Sequence, residues 1–174
     1  QSFYQINSVQ TEKLYQKAID YAQLSGNEIV LDTYCGIGTI GLYMAPVAKH
    51  VYGVEIVPSA IQDAKQNALI NHFDNTTFEC GKAEEVIIEW KQKGIEPDVI
   101  MVDPPRKGCD QVFIETLLEL APKRIIYISC NPSTQQRDAQ LLANLYYLKE
   151  ITPVDMFPHT THIETVALFE RKTL

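Results

Sequence analysis

The sequence predicts a doubly wound α/β domain with a mostly parallel sheet and an antiparallel final strand. Short apolar runs alternate with amphipathic stretches along most of the 174 residues. The apolar runs are largely continuous rather than alternating, as in strands covered on both faces. At the end of the chain, two strand-like runs follow one another without a convincing helix between them, which predicts an antiparallel, hairpin-like end to the sheet.

Taken in order, residues 9–24 read as a helix and residues 29–32 as the first strand. A helix is expected over 38–47, a strand over 51–55, and a helix over 58–71 with Pro58 in its first turn. A weaker strand at 76–80, a helix at 83–93, a strand at 98–103 and a helix at 111–120 follow. A strand over 125–130 leads to a helix over 134–143, with Asn131 as its cap and Pro132 in the first turn. Runs at 147–154 and 165–169 complete the sheet.

Length and a hydrophobic content of 45% fit one domain over residues 1–174 with a real core. The start at Gln1, without an initiator Met, leads us to expect the C-terminal catalytic part of a longer protein. No apolar stretch reaches membrane-spanning length and nothing reads as a signal peptide, so a cytoplasmic, monomeric protein is expected. The four cysteines, Cys35, Cys80, Cys109 and Cys130, form no C-x-x-C pair, and no histidine cluster completes a metal pattern. Free thiols and no metal are therefore expected. A net charge of −7 argues against a stand-alone nucleic-acid binder, because phosphate neutralisation needs clustered Lys and Arg.

The turn after the first strand, from Asp32 to Gly41, contains G-x-G-x-x-G at Gly36, Gly38 and Gly41. Glu55, ending the second strand, is spaced to accept hydrogen bonds from ribose hydroxyls. Two cofactor classes fit. A dinucleotide would set its pyrophosphate on the helix N-terminus. S-adenosylmethionine carries a sulfonium and no phosphate, and the acidic Asp32 leading into the turn favours it.

In an open α/β sheet, ligands bind outside the carboxyl ends of the strands, where Asp32, Glu55, Asp103 and Cys130 all fall. Cys130 precedes Asn131-Pro132, a helix start whose N–H groups would stabilise a thiolate nucleophile. Cys109 is the rival thiol, in a loop without an evident helix cap. Cys35 is expected to pack in the cofactor turn. Asp103-Pro104-Pro105-Arg106 presents a rigid segment with free carbonyls and a guanidinium fork. Glu164, shielded by Phe157 and Ile163, is a candidate base with a raised pKa. A cofactor turn, a cysteine, a carboxylate and an arginine together suggest covalent catalysis on a pyrimidine base.

In sequence order, Phe3-Tyr4-Gln5-Ile6-Asn7, Asp32 to Gly38, Gly53-Val54-Glu55, Asp103 to Gly108, Ser129 to Pro132 and Phe157 to Glu164 resemble the RNA uracil-5-methyltransferases. These enzymes form 5-methyluridine in tRNA and 23S ribosomal RNA. The resemblance implies a Rossmann-like fold, S-adenosyl-L-methionine as cofactor and an RNA substrate, 23S rRNA before tRNA. It also implies Cys130 as nucleophile, attacking uracil C6, and Glu164 as base. Gln5, Tyr34, Thr39, Glu55 and Asp103 match cofactor-contacting positions, with Gly36 and Gly38 in the turn and Lys82 where the adenine is met. There a backbone N–H from Ala83 is the alternative contact. Phe3 and Arg106 match positions near the target base. The family's basic N-terminal RNA-binding domain and the iron–sulfur cysteines of some members have no counterpart in these residues. Competing readings are an amino-group methyltransferase acting on adenine or a small molecule, a dehydrogenase using the glycine turn, and a non-catalytic RNA-binding module.

Overall fold

A computed structural model describes residues 7–173. Asn7 opens helix α1 (Ser8–Ala22) by accepting the Gln10 N–H on its side chain at 3.2 Å, and Gln23 ends it in the left-handed conformation. The remaining elements are β1 (Ile29–Thr33), α2 (Thr39–Met44), β2 (His50–Glu55), α3 (Pro58–Ile70), β3 (Thr76–Cys80) and α4 (Ala83–Gln92). They continue with β4 (Val99–Val102), α5 (Gln111–Leu120), β5 (Arg124–Ser129), α6 (Pro132–Leu142), β6 (Tyr146–Val154) and β7 (Glu164–Arg171). The helix expected over 38–47 is shorter. It stops at Met44 and tightens into a 3-10 turn over Ala45–Val47, where Pro46 has no N–H to continue the ladder.

The seven strands form one sheet in the order β3-β2-β1-β4-β5-β7-β6. All pairs from β3 to β5 are parallel, and β7 runs antiparallel to both β5 and β6. The last two strands do pair antiparallel, but the later one lies inside and β6 takes the edge. Burial explains the swap. In β7, Val166, Ala167, Leu168 and Phe169 are all buried, whereas β6 leaves Tyr147, Leu148 and Ile151 exposed. Apolar area removed from water favours the interior place for β7.

Side chains fill both faces of the sheet. Leu14 and Ala18 from α1 pack with Ile40, Val51, Met101 and Ile126 on one side. Trp90, Phe113 and Leu117 pack with Leu31, Ile100 and Tyr127 on the other. A smaller cluster of Ile61, Ala64 and Phe78 seats α3 near the turn after β1. No helix among the described residues is long and apolar enough to cross a membrane. The chain order reverses at β1, which lies between β2 and β4. This opens a crevice at the carboxyl ends of the strands.

Phe113 is fully buried and packs edge-on to Tyr34 with ring centroids 5.3 Å apart. Phe113→Ala is expected to lower stability by about 3–5 kcal/mol, read as a reduced urea midpoint with little change in slope.

Candidate active site

Two adjoining cavities of about 460 and 670 Å³ open at the carboxyl edge of the sheet. They share Tyr34, Glu55, Asp103 and Pro105 in their walls. The turn after β1 builds the first wall. Tyr34 holds a positive φ of 60°, uncommon for a bulky residue, and its ring turns onto Phe113. The Gly36 N–H donates to Glu55 at 3.3 Å, and the Val57 N–H donates to the other Glu55 oxygen at 3.0 Å. These bonds hold that carboxylate at the end of β2, between the two voids. Thr39 and Gly36 line the smaller cavity. Gly38 lines neither; it caps α2 at φ 80°, and a Cβ there would meet Phe78 and Ala64.

Asp32 differs from its expected place. It is 1% exposed and outside the cavity lining, and it accepts the Gly41 N–H at 2.8 Å. It anchors α2 to β1 rather than facing a ligand. Burial pushes its carboxyl up to about 7, against the pull of the Gly41 N–H and with a further push from Glu55.

The end of β4 supplies Asp103, which is half-buried and lines both cavities. Its carboxylate accepts no hydrogen bond among the described residues. Loss of water, then Glu164, then Asp32, push its carboxyl up to about 7. Pro104, Pro105 and Arg106 continue the wall of the smaller cavity.

The register between β5 and β7 brings the remaining groups together. Arg124 pairs with Glu170 and Ser129 with Thr165. One further step in the same register sets Cys130 across from Glu164, and both line the smaller cavity. Local bonds hold Cys130 from either side. The Ser129 hydroxyl donates to the Asn131 carbonyl and accepts the Asn131 N–H, both at 3.0 Å. Asn131 caps α6 by accepting the Ser133 N–H at 3.2 Å.

Burial first, then Glu164, raise the Cys130 thiol pKa, while Arg106 pulls it down. The thiolate stabilisation expected from the α6 start is therefore outweighed: loss of water and two facing carboxylates, Glu164 and Asp103, win. Glu164 is 6% exposed, and burial raises its pKa against the pull of Arg106, as expected for a shielded carboxylate. The shielding does not come from Ile163, which is exposed; Phe157 and Tyr15 are the aromatic walls nearby.

The other thiols lie elsewhere. Cys109 is buried, with Sγ 3.6 Å from the Tyr127 hydroxyl, and burial pushes it up to about 12. Cys35 packs in the turn, and burial raises it strongly. Cys80 is exposed.

Lys82 and Ala83 line the larger cavity. The Lys82 ammonium pairs with Glu85 at 2.9 Å on the surface. Ala83 begins α4, so its N–H has no intrahelical acceptor and stays available to a ligand. Phe3 and Gln5 lie outside the described residues. Phe157 lines the cavity with Glu164, as its expected shielding role requires; Tyr15 is a wall that sequence reasoning missed, since an aromatic on a helix carries no signal of which void it faces. No group of three or more His, Cys, Asp or Glu among the described residues could hold a metal ion.

A doubly wound sheet with a carboxylate-rich crevice beside β1, and an antiparallel β7 closing it, is the architecture of Rossmann-like methyltransferases. The family model described as tRNA (Uracil-5-)-methyltransferase matches residues 1–172, and the chain belongs to this family. It is 78% identical over 172 residues to an uncharacterized RNA methyltransferase of Staphylococcus aureus strain COL, covering 99% of this chain and 38% of that protein. The chain thus spans about two fifths of the length of such relatives. Its structure is similar to that of Pyrococcus abyssi tRNA (uracil-54, C5)-methyltransferase in complex with S-adenosyl-L-homocysteine. That match has a TM-score of 0.84 and 38% identity, over 97% of this chain and 40% of the other. The N-methyltransferase NodS of Bradyrhizobium japonicum WM9 shares the fold at TM-score 0.76 and 16% identity, over 96% of this chain and 99% of its own.

Asp103, ordinarily near 3.8 and here raised to about 7, gives the fold a pH dependence. A carboxyl with a raised folded pKa contributes stability below its unfolded pKa and loses it as pH rises through the folded value. Asp103→Asn is therefore expected to raise the thermal midpoint at pH 8 and not at pH 4. Equal shifts at both pH values would show that the carboxylate is not desolvated.

Proposed function

We propose that this chain is the catalytic part of an enzyme that methylates C5 of uracil in RNA, with S-adenosyl-L-methionine as methyl donor. The observation that carries the reading is that Cys130, just past the Ser129–Thr165 pair that ends the β5–β7 ladder, and Glu164, which opens β7, line one cavity with Glu55, Asp103 and Arg106. The cleft suits such a donor. Asp103 offers an unpartnered, half-buried carboxylate, Glu55 stands between the two voids, and the free Ala83 N–H borders the larger one. When bound, the donor supplies an electrophilic methyl group.

The chain's own residues handle the base. Cys130, once deprotonated, adds through Sγ to uracil C6, and the C5–C6 π electrons move onto the O4 carbonyl as an enolate. Carbon C5 becomes nucleophilic and takes the methyl. Glu164 then accepts the C5 proton, the C5–C6 double bond re-forms and the C6–S bond breaks, returning the thiolate. Arg106 supplies donors to a base carbonyl and positive charge beside the thiol. Its guanidinium is the one cation lining this cavity among the described residues. The base must leave its stack to reach a recessed thiol, so a loop or flipped uridine is the expected target. A cytoplasmic site of action, 23S rRNA before tRNA as substrate, and a monomeric enzyme complete the reading. The choice of uridine falls to the part of the protein beyond this chain.

The test is intact-mass analysis of the full-length protein after incubation with S-adenosyl-L-methionine and RNA containing 5-fluorouridine. Fluorine at C5 cannot leave as a proton, so a covalent adduct mapping to Cys130 is expected. No adduct would favour methylation of an amino group instead. Cys130→Ala is expected to abolish turnover while cofactor affinity, measured by calorimetry, is kept. Glu164→Gln is expected to form the adduct with ordinary uridine RNA but release it slowly; release at the wild-type rate would remove Glu164 from the base role.

A further inference from the structure

The Tyr127, Cys109, Arg137 and Asp138 cluster behind the cavity takes no part in the chemistry above, yet it holds a charge away from water. Asp138 lies on α6 and is fully buried. One of its oxygens accepts the Cys109 N–H at 2.8 Å and the Tyr127 hydroxyl at 2.7 Å. The other accepts from Arg137 Nε at 2.8 Å and Nη2 at 2.6 Å. Arg137 Nη2 also donates to the carbonyls of Lys107 at 3.1 Å and Cys109 at 2.9 Å. One turn earlier on α6, Thr134 Oγ1 reaches the Arg106 carbonyl at 3.3 Å, and Nδ2 of the capping Asn131 reaches it at 3.2 Å. Gly108 adopts φ 77°, and a Cβ there would stand 2.6 Å from Arg137 Nη2 and 2.7 Å from Asp138 Oδ2. The loop backbone and these two side chains are thus packed against each other with no room for another atom.

Five of these bonds tie α6 or its cap to the backbone of residues 106–109, and the other three hold the Asp138 carboxylate against Arg137 and Tyr127. The same helix begins two residues after Cys130, and the same loop carries Arg106. We propose that Arg137 and Asp138 are positioning residues, clasping the 106–109 backbone to α6 so that the Arg106 guanidinium is held beside Cys130 and Glu164. A buried carboxylate is costly unless fully paired, and here four donors on Asp138 satisfy it while fixing the loop. The groups facing Cys130 are Glu164 at the start of β7, and Asp103 and Arg106 from the segment after β4. Both carboxylates work against thiolate formation, and Arg106 works for it. Releasing the loop removes the one favourable charge.

The inference rests on the role proposed for Cys130, but its first readout needs no RNA. In the full-length protein, Cys130 alkylation by iodoacetamide is followed against pH by peptide mass mapping. Arg137→Met and Thr134→Val each free part of the loop; Lys17→Met, which removes the remote surface pair with Glu150, is the control. Losing a nearby opposite charge is expected to raise the alkylation midpoint by about 1 pH unit or more in Arg137→Met, by a smaller step in Thr134→Val, and not in the control. The rate of adduct formation on 5-fluorouridine RNA is expected to fall in the same order, by up to about 10²-fold, with cofactor affinity kept. Folded variants with lowered melting points but a wild-type alkylation midpoint would overturn the proposal, leaving the clasp a stability feature only. If Arg137→Met does not fold, Thr134→Val decides by the same readout. A shifted midpoint without any wild-type adduct would leave the clasp standing and remove the uracil chemistry instead.

Discussion

Because β7 runs antiparallel to β5 with Ser129 across from Thr165, the residue just past β5 and the residue that opens β7 both reach the cavity, and they are a thiol and a carboxylate. Nothing else in the fold brings Cys130 and Glu164 together; they are far apart in sequence and lie on different elements. The register is fixed well below the site. Val166, Ala167, Leu168 and Phe169 are all buried, so a slip by one residue would reverse which face each side chain meets. A polar bond pins the pair near its end. Thr165 donates to the Gln135 side chain at 2.8 Å, and Gln135 in turn donates to the Tyr127 carbonyl at 3.0 Å. The geometry of the site is thus a property of core packing, carried out to the sheet edge by two strands and one helix.

The electrostatics follow from the same placement. Four carboxylates, Asp32, Glu55, Asp103 and Glu164, come to one end of the sheet because four different segments end there. Only Arg106 lines the smaller cavity as a cation among the described residues. Removal of water raises Asp32, Asp103, Glu164 and the Cys130 thiol, and neighbouring carboxylates add to the rise at Asp32, Asp103 and the thiol. Such a cleft favours a positively charged or hydrogen-bond-donating guest. The overall acidity of the chain thus reaches into the cavity itself.

Much of this was legible in the sequence. The alternation of apolar runs and amphipathic stretches determined the strands and helices, with small shifts at their ends. The strand-end rule then collected Glu55, Asp103 and Cys130 at one edge. What was not legible depends on neighbours distant in sequence. Asp32 is at a strand end like the others, but its carboxylate turns inward to the Gly41 N–H instead of facing the cavity. The helix start after Cys130 suggested a stabilised thiolate, and the opposing carboxylates and burial that outweigh it appear only once the strands are paired. Arg137-Asp138 reads as an ordinary charged step in a polar helix; its meaning comes from the loop that returns to it from thirty residues upstream. The swap of β7 and β6 depended on how little of β6 is covered, which no window of sequence reports.

The order of the strands also bears on how the molecule is made. A chain emerging from its N-terminus completes β1 to β5 as a parallel sheet before β7 exists, so the outer edge of β5 is left unpaired while α6 and β6 are synthesised. The cysteine following β5 spends that interval without its facing carboxylate and without the aromatic wall from residue 157. Cys130 and Glu164 therefore come to share a cavity only when β7 docks beside β5. A chain ending before β7 would keep the parallel strands and the crevice beside β1, but would lack Glu164 beside Cys130.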